Sequence, residues 1–244
     1  MHWIYLTSLF FISVVGYNES ISKQAVLLAQ LAYCPNEKMD IEYIDIENYG
    51  SKAIIGYDNY TEMIFISFRG SSNTHNWMEN IQMNQISPYE NPNIKVEKGF
   101  YKNYNFVKNP IFDMLPELSH KYSCNNLFIT GHSLGSAAAT LFAFDILLHY
   151  KYTIKYFYNF GSPRVGNDVF VYIFNQMVKG FRVVHNNDIV TSVPPVIFDY
   201  AHISTGIYYN EDNSKYSKTE PESKDYSIND HLNYLNVTMG SSGC

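Results

Sequence analysis

Ser133 sits in the run Thr130-Gly131-His132-Ser133-Leu134-Gly135, with a glycine two positions before it and another two positions after it. A serine hydroxyl becomes a useful nucleophile only when a base takes its proton and a carboxylate fixes that base. The flanking residues suit this chemistry. Leu127-Phe128-Ile129 is a short apolar run of strand type, and Ala137–Ala139 begin a helix-forming run. Between them the two glycines permit a turn too tight for side chains. A strand, a sharp turn and a helix with serine at the apex would lift the hydroxyl above a sheet edge. The Leu134 backbone N–H would then face an oxyanion formed there. The bland alternative is a surface turn whose serine caps a helix. The apolar strand before it and the alanine run after it argue against that.

A serine of this kind needs an acid and a histidine later in the chain, in that order. Asp188 follows the short strand Phe181–Val184, at a strand's carboxyl end, where such sheets place catalytic groups. Asp168 and Asp199 are rivals, although Asp168 reads better as a helix cap. His231 and His202 are the histidines beyond Asp188; His231 would begin a short helical stretch, Leu232 to Leu235. His185, on a strand beside the acid, reads as structural, and His132, next to the serine, reads as packing. Upstream, the strand Met63–Phe68 runs into Arg69-Gly70-Ser71-Ser72, and Ser71 is the candidate second oxyanion donor. The segment Asn73 to Ile81 can form two helical turns. Trp77 and Ile81, with Met78 beside them, make an apolar stripe on an otherwise polar peptide. Such a stripe suits a mobile flap over an apolar cleft; the alternative is a fixed surface helix that buries Trp77.

These residues need a frame. Ile21 to Tyr33 has helical spacing, with Ser20 or Ser22 as candidate cap. Residues 41–49 and 51–57 read as strands around a turn at Gly50. Residues 82–98 read mostly as loop. Gly99 to Tyr122 reads as a helix that Pro110 and Pro116 break or restart. Thr153 to Phe160 is a further strand, and Asp168 is expected to cap a helix over Val169 to Val178. Strands alternating with helices around a central elbow imply an α/β fold of the α/β-hydrolase type. It would have a central, mostly parallel mixed sheet flanked by helices and a short lid helix. No repeat or linker divides residues 17–244, which are expected to form one domain.

The chain has 244 residues, 46% of them hydrophobic, so it can bury a substantial core. A formal charge of −6 with only 16% charged residues argues against nucleic acid as a partner. Residues 1–16 carry an uncharged apolar run with small residues at its end and read as a secretory signal peptide. Asn18, Asn59 and Asn236 each start an N-x-S/T sequon, candidates for glycosylation. Cys34, Cys124 and Cys244 leave one pair and one free thiol for an oxidising compartment. Cys34 with Cys244 is the candidate pair, tying an N-terminal helix to the C-terminus; spacing alone leaves the pairing open. No cysteine spacing suggests a metal site.

The segments Phe68–Ser71, Asn76-Trp77, Thr130–Gly135, Gly161–Asn167, His185–Pro195 and Tyr200–Tyr209, with the late Asp230-His231-Leu232, together resemble the fungal-type class 3 lipases. These are secreted triacylglycerol lipases and their esterase relatives. The resemblance implies Ser133 as nucleophile, Asp188 as acid and His231 as base. It also implies an oxyanion hole at Ser71 and the Leu134 backbone, and a lid around Thr74 to Ile81 anchored by Trp77 and including Met78. It implies no cofactor and no metal, a lipid or ester substrate, transient contact with a lipid–water interface, no stable membrane span, and a monomer outside the cell or in a lumen. Two departures stand out: Ser136 replaces a second glycine common in relatives, and Glu97 occupies a position where relatives often carry histidine. A phospholipase or a soluble-ester, feruloyl-type esterase is the near alternative. A catalytically silent binding protein on the same scaffold is the remote one, and its mark would be a missing member of the triad.

Overall fold

The computed structural model describes residues 16–34, 41–79, 81–221 and 225–244. Apart from Gly16, the expected leader lies outside these residues. The strands, in chain order, are β1 Tyr43–Asn48, β2 Ser51–Asp58, β3 Met63–Phe68, β4 Gln85–Ile86, β5 Val96–Glu97, β6 Asn126–His132, β7 Thr153–Phe160, β8 Phe181–His185, β9 Thr205–Tyr209, β10 Tyr216–Ser217, β11 Asn233–Tyr234 and β12 Val237–Thr238. The helices are α1 Glu19–Leu31, α2 Thr74–Glu79, α3 Lys98–Tyr122, α4 Leu134–His149, α5 Asp168–Met177 and α6 Ile228–His231.

Eight strands form one sheet in the order β1-β2-β3-β6-β7-β8-β9-β10. Neighbours from β3 to β9 run parallel, while β1, β2 and β10 are antiparallel. Parallel neighbours need crossovers: α3 leads into β6, α4 carries β6 to β7, and α5 carries β7 to β8. Both faces are covered at the centre of the sheet, so β3 and β6 carry apolar runs buried on both sides. Within β3, Ile64, Ile66 and Phe68 pack with α3 and α4, while Phe65 points to the other face and packs with α1. Within β6, Leu127 and Ile129 share the first face and Phe128 the second. This is the two-residue alternation of a strand, buried on both sides. Helix α4 is buried from Leu134 to Ile146, at the centre of the fold.

Three local readings are corrected. Helix α3 is continuous through both prolines. Pro110 and Pro116 lie on its exposed face, so neither ring has to be fitted into the core. The Phe106 carbonyl, four residues before Pro110, accepts a bond from Asn48 Nδ2 at 3.1 Å instead. Helix α1 begins earlier than its apolar spacing suggests. Its cap is Asn18, whose Oδ1 accepts from the N–H groups of Ser20 (2.9 Å) and Ile21 (3.2 Å). Helix α5 is capped by Asn167, with Asp168 in its first turn. The stretch read mostly as loop is so, apart from the short pair β4–β5. Among the described residues no helix is long and apolar enough to cross a membrane.

Cys34 and Cys244 form a disulfide across a sequence separation of 210 residues, and Cys124 is a half-buried free thiol. Gln30 Nε2 donates to the Gly240 carbonyl at 3.0 Å beside it, so α1 and the C-terminal segment are joined twice. Closing so long a loop restricts the unfolded chain. The Cys34→Ser/Cys244→Ser protein should lose about 2–4 kcal/mol, read by calorimetry as a fall in Tm of roughly 5–15 °C.

Candidate active site

The turn between β6 and α4 holds Ser133 at φ 59° and ψ −131°, a region that costs a non-glycine residue about 1–3 kcal/mol. The surroundings enforce it. The Ser133 N–H donates to the Phe160 carbonyl at the end of β7 at 3.0 Å. Gly135 packs so closely on the exit of β3 that a Cβ would overlap the Phe68 carbonyl, and a Cβ on Gly131 would overlap Gly135. Ser136, in place of a second glycine, is fully buried. Its Oγ lies 2.7 Å from the Gly131 carbonyl and 2.9 Å from that of Phe160, stitching the ends of β6 and β7 together.

The acid and the histidine meet at this turn. His231 Nδ1 lies 2.8 Å from Asp188 Oδ2, and both residues are completely buried. Tyr234 OH donates a short hydrogen bond to the same Oδ2, and the Val190 N–H donates to Oδ1 at 2.8 Å. Burial works against the charge on Asp188. His231, Tyr234 and the Val190 N–H together outweigh it and hold the carboxyl below the ordinary aspartate range. Tyr234 is pushed the other way by burial and by that carboxylate, and stays a donor. Gly161, at φ +56°, carries the chain out of β7 directly behind the pair; a Cβ there would stand 2.7 Å from both Asp188 Oδ2 and His231 Cε1. His231 ends the short helix α6 rather than beginning one. Its neighbour Asp230 pins that helix to the exit of β8, accepting from Asn186 Nδ2 (2.9 Å) and the Asn187 N–H (3.1 Å).

With Nδ1 donating to Asp188, the other ring nitrogen, His231 Nε2, carries a lone pair. It is buried and has no hydrogen-bond partner, and the same is true of Ser133 Oγ. Ser133 is itself inaccessible to solvent, so an ester can reach the hydroxyl only if its cover moves. Helix α2 shares a cavity lining with Leu134, the residue after Ser133. Trp77 packs on Phe100 with ring centroids 5.9 Å apart, Trp77 and Ile81 both rest against the core, and Met78 is half-buried. Beneath them is a cavity of about 440 Å³ whose lining includes Trp77, Ile81, Glu97, Phe100, Lys102 and Leu134. Glu97 caps α3 there, accepting the Phe100 N–H at 2.6 Å, and burial raises its carboxyl above the ordinary range. Leu134 is the first residue of α4, where backbone N–H groups have no acceptor within the helix. The Ser71 hydroxyl, by contrast, is engaged in its own loop: it donates to the Asn73 carbonyl at 3.0 Å and accepts the Asn73 N–H at 3.2 Å. Among the described residues no cluster of His, Cys, Asp or Glu is arranged to hold a metal.

Residues 65–198, more than half of the chain, match the class 3 lipase family. The chain belongs to that family. It is 29% identical to a lipase of Rhizomucor miehei over 79% of this chain and 57% of that protein. It is 31% identical to the secreted mono- and diacylglycerol lipase 1 of Fusarium solani over 70% of this chain and 52% of that protein. The chain thus spans little more than half the length of these relatives. Among solved structures it superposes on the triacylglyceride lipase of Rhizomucor miehei with a TM-score of 0.80 at 25% identity, covering 93% of this chain and 98% of that one. The fold is that of the α/β-hydrolases.

Within this class 3 lipase fold the rival residues fall elsewhere. His202 Nε2 donates to the Thr191 carbonyl at 2.8 Å, Asp199 is exposed at the end of a 3-10 turn, and Asp168 lies in the first turn of α5. The three sequon asparagines are all exposed: Asn18 at the α1 cap, Asn59 between β2 and β3, and Asn236 between β11 and β12. Two tyrosines that the sequence does not single out belong to the site. Tyr234 holds Asp188, and Tyr33 OH lies 2.9 Å from His132 Nδ1. Tyr234 comes three residues after His231, but it is one of 22 tyrosines and nothing local marks it.

His132 has a definite role beside His231. Its Nε2 lies 2.9 Å from the His231 carbonyl, which can only accept, so Nε2 carries the proton and Nδ1 accepts from Tyr33. The rings stack at 4.4 Å. Burial, reinforced by His231, lowers the His132 pKa from 6.5 to about 3. The ring therefore stays neutral beside a histidine that can become charged. The unfolded chain binds a proton here below pH 6.5 that the folded chain refuses until about pH 3. Its stabilisation is thus full above pH 6.5 and is lost as pH falls. Urea unfolding between pH 6 and pH 4 should show His132→Gln losing less stability per pH unit than the parent, by about 1.4 kcal/mol.

Proposed function

We propose that this chain is a serine carboxylester hydrolase that cleaves acylglycerols at a lipid–water interface, with Ser133 as nucleophile, His231 as base and Asp188 as acid. The observation that carries this reading is the buried His231–Asp188–Tyr234 cluster, which leaves His231 Nε2 and Ser133 Oγ as its two unpartnered atoms. His231 Nε2 takes the Ser133 proton as Oγ attacks the ester carbonyl, and Asp188 faces the imidazolium that forms. The oxyanion lies at the Leu134 N–H and at Ser71, each such donor lowering the barrier by about 3–4 kcal/mol. His231 then protonates the leaving alcohol, and water cleaves the acyl-enzyme by the same route. In this reading Thr74 to Ile81 is a lid, drawn closed over the cavity. When α2 moves, the Ser71–Asn73 bonds at its base break and the Ser71 hydroxyl is released for the oxyanion. A fungal lipase–inhibitor complex described as a model for interfacial activation superposes on this chain with a TM-score of 0.74 at 25% identity over 92% of this chain, which supports a moving lid here.

A preference for mono- and diacylglycerols is favoured by one feature: Gln82, Lys98, Lys102 and Asn103 also line the cavity, and such groups suit free glycerol hydroxyls. The Fusarium relative, a secreted mono- and diacylglycerol lipase, supports the same preference. The disulfide fits an oxidising compartment. With the relatives named as secreted, it supports residues 1–16 as a secretory leader ahead of a single domain, residues 17–244.

Initial rate should be followed against a short-chain triacylglycerol through its solubility limit, with Ser133→Ala as blank and a diacylglycerol in parallel. A jump as droplets form is the expected result. A curve that saturates below the limit and gains nothing beyond it would make the chain an esterase with a fixed α2. No rate above the blank would sink the hydrolase reading. Tyr234→Phe removes one charged hydrogen bond from Asp188 and should lower kcat on a dissolved ester about ten- to a hundredfold, measured with the folded fraction matched by circular dichroism.

A further inference from the structure

Three consecutive apolar side chains stand in water a short way beyond Asp188. Val196, Ile197 and Phe198 make up one 3-10 turn and are 63%, 86% and 53% exposed. A single exposed apolar residue is ordinary, but three in a row on one turn form a patch. The backbone beneath them is firmly held. Arg164 Nη1 donates to the carbonyls of Ser192 and Pro194. Gln85 Nε2 donates to those of Phe198 (3.3 Å) and Asp199 (2.8 Å), and Tyr200 OH to that of Met83 (3.1 Å). Pro194 and Pro195 restrict the approach to the turn. A turn fixed in this way would accept polar side chains at little cost, since surface positions are normally worth within about 0.5 kcal/mol. The fold therefore gives no reason for these three to be apolar.

Their position supplies one. Met83 and Gln85, which hold the turn, follow directly on Ile81 and Gln82, and these two line the cavity next to Leu134. The patch is thus stitched to the trailing end of the lid segment. We propose that Val196-Ile197-Phe198 is a fixed anchor that enters the acyl phase of a neutral lipid surface and holds the cleft against it while α2 moves. The proposal rests on the hydrolase reading for its purpose. One turn is too small for a lasting protein interface, which takes about 800 Å² from each partner, whereas insertion into lipid gains with each side chain. The exposed Asp199 beside the patch and the net charge of −6 disfavour an anionic surface.

The test is flotation with triolein droplets coated with phosphatidylcholine, in the Ser133→Ala protein so that the surface is not consumed. Ile197→Asp should weaken adsorption at least tenfold, as expected when a large aliphatic side chain no longer enters the acyl phase; Ile197→Gln should act in the same direction. In the chain with Ser133 intact, Ile197→Asp should hydrolyse dissolved p-nitrophenyl butyrate at the parent rate and lose rate only on droplets. Ile197→Trp should shift its emission to the blue when droplets are added. Unchanged adsorption of Ile197→Asp would overturn the proposal. So would a concentration-dependent dimer of the parent that Ile197→Asp abolishes, because the patch would then belong to a second copy. Absence of hydrolysis on either substrate would strike the enzyme reading alone, because adsorption is measured without turnover.

Discussion

A carboxylate with no access to water must find all its compensation inside the protein, and Asp188 is in that position. Its two oxygens collect His231, Tyr234 and the Val190 N–H. Each donor comes from a different element: the end of α6, the strand β11 and the 3-10 turn after β8. The charge therefore fixes how the C-terminal third of the chain wraps onto the sheet. It also requires Gly161, because nothing larger fits behind the pair.

The elbow is the second fixed point. A serine held at φ 59° survives only because the structure around it is stable in other ways. The buried run of α4, the close approach of Gly135 to β3, and the Ser136 hydroxyl bridging β6 and β7 all hold it there. The strained Ser133 and the buried Asp188–His231 pair are then linked through His132. It bonds to the backbone of His231 and stays neutral, so a charge arising on His231 meets no second cation at 4.4 Å.

A site this well buried has to be opened. If Thr74 to Ile81 is the lid proposed above, the apolar faces around Trp77 and Ile81 are the ones a lipid surface would receive. The apolar turn at residues 196–198 is tied through Gln85 and Met83 to the end of the same segment. Glu97, the oddest departure from the resemblance, caps α3 in the cavity that Trp77 and Ile81 also line, with its carboxyl used by the Phe100 N–H.

The sequence by itself determined the strand–turn–helix around Ser133 and the alternation of strands and helices. These depend on neighbours along the chain: small residues around a tight turn, apolar runs of strand length, helical spacing. It misjudged Pro110 and Pro116, because whether a proline breaks a helix depends on where its orphaned carbonyl ends up, and Asn48, which takes up that of Phe106, lies outside the local window. It also left Asp188 beside two rivals and His231 beside His202. Only the tertiary structure decided which aspartate and which histidine pair, and that Tyr234 joins them. The partners are 43 and 46 residues apart. A buried charge chooses its donors by distance in space, on which spacing along the chain has almost no hold.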